Sequence, residues 1–174
     1  MTKKHLTESR RHNQKGGMFI ELLVGIAIAG LLIPVLTEAS SQLMNVSEMN
    51  THRVRALTQV EKAMHWIKRD AEVAQAVQTG PGSGFPLTLS WVDWDNSEYQ
   101  VIYSLEGDKM YRDYSIDGGA PSRRVVAELI DTDAAKTNSQ YAVGVLAFKV
   151  TASVAGYKPA SETRTAQVMP RPAP

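Results

Sequence analysis

Few residues in this 174-residue chain have the types and spacing that do chemistry. Asp93, Asp95, Asn96 and Glu98 crowd hard oxygen atoms into one short stretch, a set able to ligate Ca²⁺. The glycine and distal glutamate of an EF-hand loop are missing, and a plain polar turn accounts for the same residues. Asp131 and Asp133 are a weaker version of the same pattern. His52 and His65 stand far apart, His5 and His12 lie near the N-terminus, and none falls in an H-E-x-x-H spacing. There is no G-x-S-x-G, P-loop or G-x-G-x-x-G. Cysteine is absent, which removes disulfides, thiolate metal sites and cysteine nucleophiles. An anchored hydrolase would need a convergent acid/base pair, and the sequence names none. No enzyme and no resident cofactor is expected. With 19 Lys+Arg against 18 Asp+Glu, the net charge of +1 also argues against a dedicated nucleic-acid binder.

The one carboxylate in an unusual place is Glu21. From 18 to 36 it is the only charged residue, in the run GGMFIELLVGIAIAGLLIPVL. A helix of that length spans roughly 28 Å, close to the hydrocarbon thickness of a bilayer. An acid at the centre of such a helix costs about 2.5–3.5 kcal/mol, and less near its ends. Glu21 therefore calls for a cationic partner at its own depth, and the segment supplies no Lys or Arg. A free amine made by cleavage just before the apolar run would serve. The first 16 residues hold Lys3, Lys4, Arg10, Arg11 and Lys15 against Glu8 alone, a charge of +4, which leaves −3 on the rest. The positive-inside rule keeps this head in the cytoplasm and sends the C-terminal body across. A secretory signal peptide with a poor cleavage site at Ser40-Ser41 and a plain membrane anchor are the competing readings.

The junction resembles the class III signal of type IV pilins and pseudopilins. In that family a basic leader ends in Gly, the mature chain opens roughly F-T-L-I-E-L, and a Gly stands fourteenth. Here K-G-G-M-F-I-E-L-L-V fits with cleavage after Gly16, preceded by Lys15. Gly17 is then the first mature residue, Glu21 the fifth and Gly30 the fourteenth. The first residue is usually Phe in the family, and cleavage after Gly17 is the alternative; it would expose Met18 and put Glu21 one place early. The family's proline usually falls about a turn later than Pro34. The resemblance implies that a prepilin peptidase cuts after the leader Gly and methylates the new amine of Gly17. The subunit is then drawn from the membrane by an inner-membrane assembly platform into a filament with other pilins or pseudopilins. There the Glu21 carboxylate would neutralise a neighbour's N-terminal amine. Opposite charges in a low-dielectric stack attract strongly, while either alone is costly. Gly25, Ala27, Ala29 and Gly30 permit close helix approach, and Pro34 removes a backbone donor and should kink or loosen the helix.

The helix is expected to continue out of the membrane. Leu43, Val46, Leu57, Val60, Met64, Ile67, Ala71 and Ala74 mark an apolar stripe, interrupted around Asn50 and Arg53. The helix should run to about Gln78 and stop at TGPGSG. Glu61/Lys62 and Lys68/Arg69/Asp70 read as a solvated face or, otherwise, an inter-subunit contact. Beyond Gly84 the period becomes two: strands are expected at 85–92, in a second run with Tyr99, Val101, Tyr103 and Leu105 alternating on one face, and at 109–116 after a Glu106-Gly107-Asp108 turn. A short strand or turn at 124–130, a long run at 141–154 and a last strand at 163–169 complete the pattern. If the strand extends as far as Trp94, Trp91 and Trp94 fall on opposite faces, one in the core and the other at a subunit contact.

The expected fold is α+β: a long N-terminal helix packed on a C-terminal antiparallel sheet. The expected domains are a leader at 1–16, a membrane and filament-core helix at 17–37, an amphipathic continuation at 38–79 and an extracytoplasmic β-rich domain at 80–174 with a disordered Pro-rich tail. ALTQVEKAMHWIKRDAEVAQAV, with its arginine-aspartate pair before small residues, and the hairpin VIYSLEGDKMYRDY resemble J-type minor pseudopilins of type II secretion. Some pseudopilins bind calcium in loops, which keeps Ca²⁺ at 93–98 as an option. The functional expectation is a structural, minor subunit of a pilus-like filament serving secretion, DNA uptake or adhesion and motility. The alternative is an unprocessed, membrane-anchored extracytoplasmic binding module.

Overall fold

The computed structural model describes residues 14–172. The basic head through Asn13, with His5 and His12, and the last two residues of the tail lie outside the described residues, so that part of the leader and of the tail is not described. The element order is one helix, α1 (Gln14–Val73), followed by eight strands. The chain divides into two units, one ending at Ser47 and the other Glu48–Pro174.

In the first unit the described side chains are all exposed. The apolar stretch of α1 is long enough to cross a membrane. α1 runs on through Pro34, whose ring nitrogen cannot donate to the Gly30 carbonyl one turn back. The Thr37 Oγ1 donates to the Ile33 carbonyl and the Ser40 Oγ to the Leu36 carbonyl, each at 2.9 Å. Such back-bonding satisfies hydroxyls inside an apolar environment.

In the second unit α1 buries Ala56, Val60, Ala63, Ile67 and Ala71, and Ala74 just past its end continues the same face, spaced by three and four as one helix face requires. Leu57 and Met64 flank it half-buried, while Leu43 and Val46, in the first unit, are exposed. Alanine at four of these six positions lets the chain lie close to the strands it covers. Five strands form one antiparallel sheet in the order β1-β2-β3-β4-β5: β1 (Ala76–Thr79), β2 (Leu87–Val92), β3 (Glu98–Glu106), β4 (Lys109–Ile116) and β5 (Ser122–Ala127). The register sets Leu87 opposite Tyr103, Leu89 opposite Val101 and Leu105 opposite Met110. Alternation carries these residues to the face that α1 covers, and each fully buried leucine contributes about 1.5–3 kcal/mol. Glu106 pairs with Lys109, and Gly107 at φ 62° opens the two-residue turn between them, the place a type II′ hairpin reserves for glycine.

A second antiparallel sheet has the order β6-β7-β8: β6 (Asn138–Ala142), β7 (Val145–Val154) and β8 (Ala160–Val168). Leu146, Phe148, Val150, Ala152 and Val154 line its buried face. The two sheets are stitched by a bridge between Ile130 and Ala152 and by Gly84, whose carbonyl accepts from Ser139 Oγ at 2.8 Å. A Cβ at Gly84, which has φ +79°, would stand 1.8 Å from the Ser139 oxygen.

Several expectations need correction. The helix stops at Val73, not near Gln78, and Ala76–Thr79 is a strand. Gln75 makes the switch: its backbone N–H donates to Ser90 at 2.8 Å, and its side-chain amide accepts from Val92 N at 3.0 Å and faces the Val92 carbonyl at 3.3 Å. It thus imitates one more ladder residue. The single expected sheet is two, because periodicity reveals strands but not their partners. The run at 141–154 is broken by a turn at Val143 and Gly144, φ 52° and 77°. The strand placed at 124–130 is Ser122–Ala127 and ends beside a register shift between Met110 and Tyr111. The last strand starts at Ala160, earlier than 163.

Candidate functional site

Gly16 and Gly17 sit in the first turn of α1. Gly17, Glu21 and Gly25 are spaced by four, so they share one helix face. A Cβ added at Gly17, Gly25 or Gly30 would meet nothing within 4 Å. Glu21 is exposed, and among the described residues it has no cationic partner. Its carboxylate is therefore the single side chain on a lane bounded by glycine on both sides. Another helix can approach it there far more closely than on any face bearing Leu or Ile. The side chain of Lys15 is outside the described residues.

The acidic stretch at 93–98 is a tight turn. Asp93 Oδ1 accepts from Trp94 N at 2.9 Å, Asp95 Oδ1 accepts from Ser97 N at 3.0 Å, and Asn96 has φ 62°. The backbone bond from Ser97 holds the Asp95 carboxyl below its ordinary value. One oxygen of Asp93 and one of Asp95 are held by backbone amides, and among the described residues no group of three His, Cys, Asp or Glu converges on a point. Asp131 likewise turns to Lys136 Nζ at 2.7 Å, whose bond holds it below its ordinary value. Trp91 stacks on Tyr99 with ring centres 5.5 Å apart, whereas Trp94 is 91% exposed; β2 ends at Val92, so Trp94 lies in the following turn and not on an opposite strand face. His52 Nδ1 lies 2.9 Å from the Lys158 carbonyl, and His65 meets Trp66 edge-on.

The feature missed in the sequence is Asp70. It is not on a solvated face: it is 2% exposed. Its Oδ2 accepts from Tyr103 Oη at 2.5 Å and from Arg112 Nε at 2.6 Å, and its Oδ1 from Arg69 Nη2 at 3.2 Å. A carboxylate with these donors meets the condition under which a buried charge is tolerated. Burial first, and the adjacent Asp70 charge second, push the Tyr103 hydroxyl far above its ordinary value, so it stays a donor. Burial works against the Arg112 charge, but the bond to Asp70 more than offsets it and the net shift is upward. Position 70 continues the spacing Val60, Ala63, Ile67, and that spacing was the signal available in the sequence. The ion pair fixes the rotation of α1 on the sheet, so the site it builds is structural.

The chain matches no family model, no curated protein and no solved structure. Its architecture, a long helix with an apolar beginning and a later half packed on antiparallel sheets, is pilin-like.

Proposed function

We propose that the chain is a minor structural subunit of a type IV pilus-like filament or pseudopilus, with no catalytic role. It is held as a single-pass protein of the cytoplasmic membrane, basic head inside and β-rich body outside. A prepilin peptidase cuts after Gly16 and methylates Gly17, and the assembly platform draws the subunit into a filament of related subunits. The observation that carries this reading is Glu21, the lone charge of an apolar helix, set on the glycine lane of Gly17 and Gly25. A membrane anchor gains nothing from an acid there. A stack of helices with new N-terminal amines does, and the lane lets the amine reach the carboxylate. Cleavage also removes a +4 segment that an apolar filament core would exclude.

The test separates processing from assembly. Gly16→Ala should accumulate as a membrane-held precursor. Glu21→Ala should mature normally yet enter sheared filaments at a small fraction of the wild-type level. Normal maturation of the first variant would remove the cleavage site, and wild-type incorporation of the second would remove the charge pair.

A further inference from the structure

Beside Asp70 the second unit carries an open cleft of about 520 Å³ lined by Trp66, Trp91, Tyr114 and the guanidiniums of Arg69, Arg112 and Arg124. Its charge does not balance. Arg69, Arg112 and Arg124 stand 4.1, 5.2 and 5.8 Å from the centre of the Trp66 ring. Arg112 and Arg124 are direct cross-strand partners on β4 and β5, an arrangement that like charges disfavour. Asp70 is the one acid in the lining, and both its oxygens are taken by Arg69, Arg112 and Tyr103. Two positive charges remain in excess, and among the described residues no carboxylate pairs with Arg124. The next residue shows the contrast. Arg123 points to the other face of β5 and pairs with both Glu106 and Asp113.

We infer that this cleft binds a carboxylate carried on a planar apolar group. Arg124 offers an unpaired fork that matches a carboxylate with two parallel N–H bonds. Arg69, half exposed, adds a second cation at the mouth. Trp66, Trp91 and Tyr114 supply an apolar aromatic wall, which a bare phosphate would leave unused. The volume suits a small ligand or one side chain with its neighbour. The carboxylate belongs either to a free aromatic acid or to an acidic side chain next to an aromatic one on a protein partner. The inference does not rest on the filament reading.

The experiment titrates the full chain in detergent micelles, following tryptophan fluorescence and the melting temperature. The probes are benzoate, its neutral isostere benzamide, inorganic phosphate and a blocked Phe-Glu dipeptide. Saturable binding of benzoate or of the dipeptide is expected, about tenfold weaker in Arg124→Gln and weaker again in high salt. Benzamide and phosphate should bind less well than benzoate. Arg124 is exposed, so the variant should melt like the wild type without ligand; Arg124→Lys, keeping charge without the fork, should fall between. Benzoate alone binding marks a free acid as the ligand, and the dipeptide alone marks a partner's side chain. Equal affinity of Arg124→Gln and wild type, equal affinity for benzamide or phosphate, or no saturable binding of either acid overturns the inference.

Discussion

Asp70 accepts a hydrogen bond from Arg112 Nε at 2.6 Å, which ties the last turn of the helix to the fourth strand across a buried interface. Neither side chain is more than about an eighth exposed, and Tyr103 closes the group from the third strand. The pair sets both the depth and the rotation of the helix on the five-stranded sheet, because Asp70 lies between Ile67 and Ala74 on the buried face.

Removing one partner strands the other charge. Asp70→Ala should cost about 3–5 kcal/mol, a fall in melting temperature of roughly 10 °C or more. Replacing both partners, as in Asp70→Ala with Arg112→Met, should recover part of that loss, since no buried charge is then unpaired. Melting of both variants followed by near-ultraviolet circular dichroism checks this. A loss below about 1 kcal/mol in the single variant would show that the pair does not hold the interface.

Tyr103 makes stability depend on alkaline pH. Its hydroxyl titrates far above the ordinary tyrosine value in the folded chain and near 10 when unfolded. A raised folded value contributes stability that is complete below the unfolded value and declines above it. The slope from this one group is about 1.4 kcal/mol per pH unit beyond pH 10. Tyr103→Phe should therefore be less stable at neutral pH by about 1.5–3 kcal/mol, and its deficit should shrink as the pH rises past 10. Denaturation at pH 8 and pH 11 measures the two gaps; a constant gap contradicts the account.

Val143 is strained where strain serves no contact. It holds φ 52° at the tip of the β6–β7 hairpin, with Gly144 at 77°, and it is fully exposed. A β-branched residue is poorly suited to that region, and such turns favour Asn-Gly. Val143→Asn should stabilise the chain by about 1 kcal/mol, raising the melting temperature by a few degrees. A decrease would mean that Val143 is held by something other than the turn.

What the sequence disclosed follows from what periodicity encodes. The long helix and the hairpin of β3 and β4 were readable, since spacing by three and four or by two declares each element. The end of the helix was not, because Ala76–Thr79 has no strand character of its own and becomes one by pairing with β2 through Gln75. The break between β6 and β7 was hidden because Val143-Gly144 lacks the Asn or Asp that marks such turns. Asp70 was misjudged by residue type: a charge between Arg69 and Ala71 reads as solvated unless its place on the Val60–Ile67 face is weighed first. Glu21 stands out for the opposite reason, as the only charge in an apolar run, and its role is the proposal that intact mass tests. The cleft around Trp66 required three elements to converge, and no spacing along the chain announces that.

The central claim is that cleavage creates the cationic partner of Glu21. Intact-mass spectrometry of the protein from its native membrane tests it most directly. The account predicts a mass beginning at Gly17 and carrying one added methyl group. A chain that keeps its basic leader, in cells with an active prepilin peptidase, would contradict it and leave an anchored binding module in its place.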